Sequence, residues 1–110
     1  MHTMKVQTKY YNLLKSGVKT VELRLWDEKR RLIKVGDKIT FSDLSDPDDT
    51  FVAEVIALYR APSFDELCDT IQPQQAGFST KQEVLDCLQE FYTPEAQQNY
   101  GVVGIEIKRI

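Results

Sequence analysis

Gly17-Val18-Lys19-Thr20-Val21-Glu22-Leu23-Arg24 is the stretch on which the reading of this chain turns. A glycine closes a short helical pattern in which Tyr10, Leu13 and Leu14 recur at helical spacing. A strand pattern follows at once, from Lys19 to Trp26. Val21, Leu23 and Leu25 alternate with Thr20, Glu22 and Arg24, and a period of two predicts one buried face and one face free for chemistry. The free face would carry an acid and a fixed cation two residues apart. Lys19 stands at its start as a mobile cation. Together these groups suit a polar ligand or a phosphate.

Outward from that strand, the order of elements predicts an α+β domain. A short strand over Thr3 to Val6 precedes the first helix. A charged loop follows, Asp27-Glu28-Lys29-Arg30-Arg31, and then a turn at Lys34-Val35-Gly36-Asp37 that launches a strand through Ile39 and Phe41. The acidic, turn-rich residues 43–50 predict a hairpin loop, and Phe51 to Arg60 a long buried strand. Ser63 with Glu66 and Thr80 with Glu83 read as capping boxes for two helices, the second reaching about Tyr92. Thr93-Pro94-Glu95 starts a third. Residues 72–79 read as a Gln-Pro-Gly loop with no assigned role. The chain closes with a strand over Gly101 to Ile110, with Val103, Ile105 and Ile107 on one face. Strands this far apart in sequence must pair around one core, as a small barrel or curled sheet with segregated helices.

Bulk properties bound the function. At 110 residues the size prior gives one domain, 1–110. No apolar run approaches the roughly 18 residues of a membrane span, and the first residues lack the apolar stretch of a signal peptide. The expected location is therefore the cytoplasm, with no membrane partner. Cys68 and Cys87 predict no disulfide framework and fall on helical core stripes with Phe64, Leu67 and Ile71, and with Val84, Leu88 and Phe91. A single histidine and no paired-cysteine motif predict no structural zinc, and no cofactor is expected. The net charge of −3 conceals a split: residues 1–38 carry 10 Lys and Arg against 4 acids, and the remainder 4 against 13. A basic face on an acidic body can dock a phosphate chain.

The chain resembles the ASCH domain family of the PUA-like superfamily. The family signature G-x-K-x-x-E-x-R stands here complete as Gly17, Lys19, Glu22 and Arg24. Gly36-Asp37 with Ile39 and Phe41 resembles the family's G-D-x-[IV]-x-F strand, and Tyr100-Gly101-Val102-Val103-Gly104-Ile105 its closing strand. Met1-His2 with Met4, and Asp27-Glu28-Lys29-Arg30, resemble a small stand-alone bacterial subgroup. The resemblance implies a PUA-like β-barrel of about five to six strands with helices packed at the rim. It also implies a cleft beside the signature strand that takes RNA or a modified nucleotide.

On that basis the expected nucleic-acid-binding residues are Lys19, Glu22, Arg24, Trp26, Lys29, Arg30, Arg31 and Lys34. Arg24 would present a donor fork, Glu22 would accept from a base amino group, and Trp26 would stack or fill core. The basic run would attract phosphate. The alternative is a small hydrolase, a metal-assisted ribonuclease or an amidohydrolase, with Lys19 and Glu22 catalytic; Glu22 and Asp27 would then be the carboxylates for a metal. Family members that hydrolyse an amide on a modified cytidine carry threonine at the position of Glu22 and a further glutamate in a later loop. Here that loop, Pro73 to Phe78, holds no acid, so that activity is not carried over. A protein-interaction module using the acidic half is a third reading, and the oligomeric state is left open.

Overall fold

Five strands form one curled sheet in the order β1-β3-β4-β5-β2, and that order places the site. The computed structural model describes residues 2–110; the resemblance noted at Met1 lies outside the described residues. The strands are β1 (His2–Val6), β2 (Val21–Leu25), β3 (Lys38–Asp43), β4 (Asp46–Ala61) and β5 (Val102–Arg109). The helices are α1 (Thr8–Ser16), α2 (Phe64–Leu67), α3 (Lys81–Gln89) and α4 (Pro94–Tyr100). β1 runs parallel to β3, and the other three pairings are antiparallel. This is the half-barrel form of the expected PUA-like α+β fold.

The hydrophobic pattern explains the curl. One face of the sheet buries Met4, Ile39, Phe41, Phe51, Val55 and Ile105 with Tyr11 and Leu14 of α1. The opposite face buries Val21, Leu23 and Val102 under Phe64, Leu67, Val84 and Leu88. β4 serves both faces because Val55 pairs with Ile107 while Ala57 pairs with Glu106, leaving Ile56 as the extra residue of a bulge. A bulge shifts the alternation by one residue: Ala53 and Val55 enter the first core, and beyond the bulge Leu58 does so instead. Gly104 lets β2 and α2 close on β5, since a Cβ there would lie 3.0 Å from Val21 and 3.6 Å from Leu67.

Residues 43–50 depart from the sequence expectation of a hairpin loop. Only Leu44 and Ser45 turn, because Asp43 already faces Asp46 across the ladder. Ser42 faces Thr50, so Pro47, Asp48 and Asp49 bulge out of the start of β4, where a proline lacking its N–H is tolerated. The buried Asp43 carboxylate accepts from Thr8 Oγ1 at 2.6 Å and from the Ser45 N–H, and Asp49 accepts from Tyr11 Oη at 2.7 Å. Asp43 and Asp49 thus tie α1 to the hairpin.

The caps follow the sequence. Ser63, Thr80 and Thr93 each accept from the N–H three residues on. The reciprocal box, however, forms at Gln72 and Gln75, around a 3₁₀ turn over Pro73–Ala76. The segment read as a featureless loop is therefore built, and it has a role in the site. Among the described residues, no helix is long and apolar enough to cross a membrane.

Candidate nucleic-acid interface

β1 and β2 are the two outer strands of the sheet, and its curl brings their edges face to face. Val6 O bonds to Leu44 N on the β3 side, so the neighbouring Lys5 turns its backbone groups toward the seam. Thr20 O accepts from Ile107 N of β5, and Trp26 N donates to Gly101 O just before it, so Leu23 likewise faces the seam from the other side. Arg24 spans the gap: its Nη2 donates to the Lys5 carbonyl at 3.0 Å.

The signature residues meet at this seam. Lys19 Nζ lies 2.9 Å from Glu22 Oε1, and Arg24 donates to Glu22 Oε2 from Nη2 at 2.8 Å and from Nε at 3.1 Å. The expectation of a free strand face is corrected here. Lys19 and Glu22 are 5% and 4% exposed, and β2 is buried on both faces through Leu23. The charged face turns into the mouth of the half-barrel, which period-two alternation alone does not reveal. Lys19 is not a mobile cation either. Its backbone N–H bonds to Leu13 O, Thr20 N bonds to Gln75 O in the 72–79 segment, and Gly77 lies against the lysine stem. Gly77 sits at φ 89°, and a Cβ there would stand 3.2 Å from Leu13 and 3.4 Å from Lys19. Only glycine meets both demands without strain.

Burial by itself would push the Glu22 carboxyl up. The charges and hydrogen bonds of Lys19 and Arg24 outweigh it and hold the group at about 2. Burial likewise pulls the Arg24 guanidinium down, and Glu22 more than restores it. Glu22 is thus a firm anion and a weak proton acceptor at neutral pH, poorly matched to general-base work. Both of its oxygens already accept protein donors, so it does not stand free to read a base amino group.

A cleft of about 160 Å³ opens beside this triad. Lys19, Glu22 and Arg24 line it together with the rings of Tyr10, Phe78, Phe91 and Tyr92 and the aliphatic side chains of Val6, Leu23, Leu44 and Leu88. Lys19 Nζ sits 4.9 Å from the centre of the Tyr10 ring, and Phe78 packs on the other side of that ring at 5.7 Å. Tyr10 Oη pairs with Cys87 Sγ at 3.2 Å. Burial and that bond raise the phenol to about 12, so it stays protonated. Phe91, expected on the α3 core stripe, lies beyond the end of the helix and is 53% exposed at the cleft. Cys68 and Cys87 are half-buried and unpaired by disulfide.

The other expected residues lie outside the cleft lining. Trp26 carries the Arg60 guanidinium 4.9 Å from its ring centre and packs on the first core. Arg30 pairs with Asp27 at 3.1 Å. Arg31 donates to the Trp26 and Tyr100 carbonyls. Lys29 and Lys34 are exposed. Among the described residues, no three His, Cys, Asp or Glu side chains converge as metal ligands. Sequence reasoning did not single out Lys5, Tyr10, Phe78 or Phe91 as lining residues, and it read Tyr92 as core or rim. Tyr10 was visible only as part of a helical stripe, a pattern shared with ordinary core.

The comparisons agree with this architecture. The ASCH domain model matches residues 4–110. No curated protein matches the chain. Among solved structures, the crystal structure of the hypothetical protein PH0355 is 34% identical, over 98% of this chain and 97% of that one, with a TM-score of 0.86. The solution structure of the protein PF0455 from Pyrococcus furiosus is 32% identical over 99% and 96%, with a TM-score of 0.77. ASCH from Zymomonas mobilis, at 14% identity and a TM-score of 0.68 over 96% of this chain and 65% of that one, shares the fold. With the family model matched from residue 4 to the last residue and a third of its positions identical to a fold of equal length, this chain belongs to the ASCH domain family.

Proposed function

We propose that this chain binds single-stranded RNA or a modified nucleotide in the cleft at the β1–β2 seam. The observation that carries the reading is an ion triad of net charge +1, with Lys19 and Glu22 buried, lining a cleft of mixed aromatic and aliphatic side chains, and with Arg24 held across the seam by Glu22 and Lys5. Preorganised donors in a partly dry cleft hold a polar ligand more strongly than the same groups in water. The aromatic rings supply stacking for a base. In this reading Arg24 and Lys19 donate to the ligand, and Glu22 fixes both of them. The exposed Lys5 and Lys9 beside the cleft, with Lys29 and Lys34, attract the phosphate chain. Arg30, Arg31 and Trp26 shape the loop that follows β2.

The test is fluorescence anisotropy of labelled single-stranded RNA at two salt concentrations, with the RNA examined afterwards on a denaturing gel. The reading expects binding that weakens with salt, intact RNA, and a marked loss in Arg24→Lys, which keeps the charge but loses the fork. Absence of binding at low salt, or wild-type affinity in a folded Arg24→Lys protein, would refute it.

A further inference from the structure

We infer that the main chain of Leu23, its N–H and its carbonyl together, holds an unpaired base by an edge on which a donor stands beside an acceptor. This rests on the nucleotide-binding reading above and names the contact that grips the ligand. Three observations carry it.

The first is register. Thr20 O accepts from Ile107 N, and Trp26 N donates to Gly101 O. Between those two bonds the ladder sets Glu22 opposite Ile105, Leu23 opposite Gly104 and Arg24 opposite Val103. Antiparallel pairs alternate between bonded and non-bonded. Glu22 and Arg24 therefore direct their backbone groups at β5, and Leu23 turns both of its own away. β2 ends the sheet and has no second strand neighbour. Among the described residues, neither the Leu23 N–H nor its carbonyl meets a partner. Leu23 is nonetheless only 5% exposed. Main-chain groups of buried residues seldom go unmet in folded proteins.

The second is position. Glu22 and Arg24 line the cleft from one face of β2, and Leu23, packed in the second core with Leu88, lines it from the other. Side chains of both faces meet in one cleft where the edge of the strand borders it. The free edge of Leu23 thus opens on the cleft, with Lys5 across the seam.

The third is length. Val21 and Leu25 turn their backbone groups the same way as Leu23, but neither lines the cleft, and Val21 is fully buried. Arg24, next to Leu23, crosses the seam to the Lys5 carbonyl. The open edge is one residue long. An added peptide strand pairs along a run of such residues. A single planar group needs only one, because the N–H and C=O of an extended residue point the same way, side by side. Each of the four RNA bases carries a donor beside an acceptor on its Watson–Crick edge, and that edge is free only while the base is unpaired. The contact selects an unpaired base and does not choose among the four.

The experiment is amide hydrogen exchange, read residue by residue on ¹⁵N,¹³C-labelled protein, free and with a short single-stranded RNA of mixed sequence. In the free protein the Leu23 N–H should exchange about tenfold faster than those of Glu22 and Arg24. With RNA bound it should slow about tenfold, and the Leu23 carbonyl resonance should shift. The same RNA annealed to its complement keeps its phosphates and hides its base edges, and should leave Leu23 exchange unchanged. A Leu23 N–H as protected as its neighbours in the free protein overturns the inference. So does protection by the duplex equal to that by the single strand. RNA that binds and shifts Arg24 without slowing Leu23 overturns it and leaves RNA binding standing. Protection by an extended Thr-Val repeat peptide, with none from RNA, assigns the edge to a peptide strand and overturns it too. If RNA does not bind at all, the inference falls together with the reading beneath it.

Discussion

Replacing Glu22 with glutamine should be among the most damaging single substitutions in this chain, and its effect should depend on pH. The change keeps the shape of the side chain and removes its charge. Lys19, 5% exposed, and Arg24 would then face each other with no anion between them. Removing one partner of a buried pair typically costs about 3–5 kcal/mol, against a total stability of about 5–15 kcal/mol for a domain of this kind. With a urea m-value of about 1.5 kcal/mol/M, a loss of about 4 kcal/mol lowers the unfolding midpoint by about 2–3 M. The pH arm follows from linkage. The Glu22 carboxyl is depressed from its ordinary 4.5 to about 2 in the folded chain, so folding favours its ionised form. That contribution is complete above pH 4.5, fades as pH falls, and is gone below pH 2. Two and a half pH units correspond to about 3 kcal/mol. The assay is urea unfolding of wild type and Glu22→Gln between pH 7 and pH 2. The gap between them should be about 4 kcal/mol near neutrality and narrow by about 3 kcal/mol at the acid end. A gap below about 1 kcal/mol at pH 7, or one that does not change with pH, would refute the idea that Glu22 holds the two cations in place.

Other outcomes follow from the same geometry. Gly77→Ala places a Cβ at φ 89° and 3.2 Å from Leu13, so thermal or urea unfolding should register a loss of about 1–3 kcal/mol. Gly104→Ala would crowd Val21 at 3.0 Å and should lose about 1–3 kcal/mol through overpacking, read in the same experiment. Phe91→Ala should leave stability within about 0.5 kcal/mol, because the ring is exposed, while weakening RNA by about 1–3 kcal/mol in anisotropy. Lys5→Ala with Lys9→Ala should lower the slope of log affinity against log salt by about 1–1.4 on single-stranded RNA, if each lysine neutralises one phosphate.

Much of the fold could be read from local signals. Gly17, the three hydroxyl caps and the alternating Val103, Ile105 and Ile107 each act within a few residues, and each stands where the pattern put it. The grouping of Lys19, Glu22 and Arg24 was legible for the same reason: spacings of three and two fall within one short stretch of chain. Their environment was not. Whether a strand face meets solvent depends on what the sheet curls around, and here Lys5 of β1, Gln75 of the 3₁₀ turn and Phe78 come from distant parts of the chain to close the charged face in. The same logic explains Phe91, whose helical spacing held but whose helix ended two residues earlier. It also explains Arg30 and Arg31, whose sequence cluster of charge turned out to be tied down by Asp27 and by carbonyls. A run of charge shows composition, and only coordinates show which donors are spoken for.

The most direct measurement of the central claim is a map of ¹⁵N chemical-shift changes on adding a short single-stranded RNA. The account predicts the largest changes at Lys5, Tyr10, Lys19, Arg24, Phe78 and Phe91, around the β1–β2 seam. Changes confined to other surfaces, with the seam silent at saturating RNA, would contradict it.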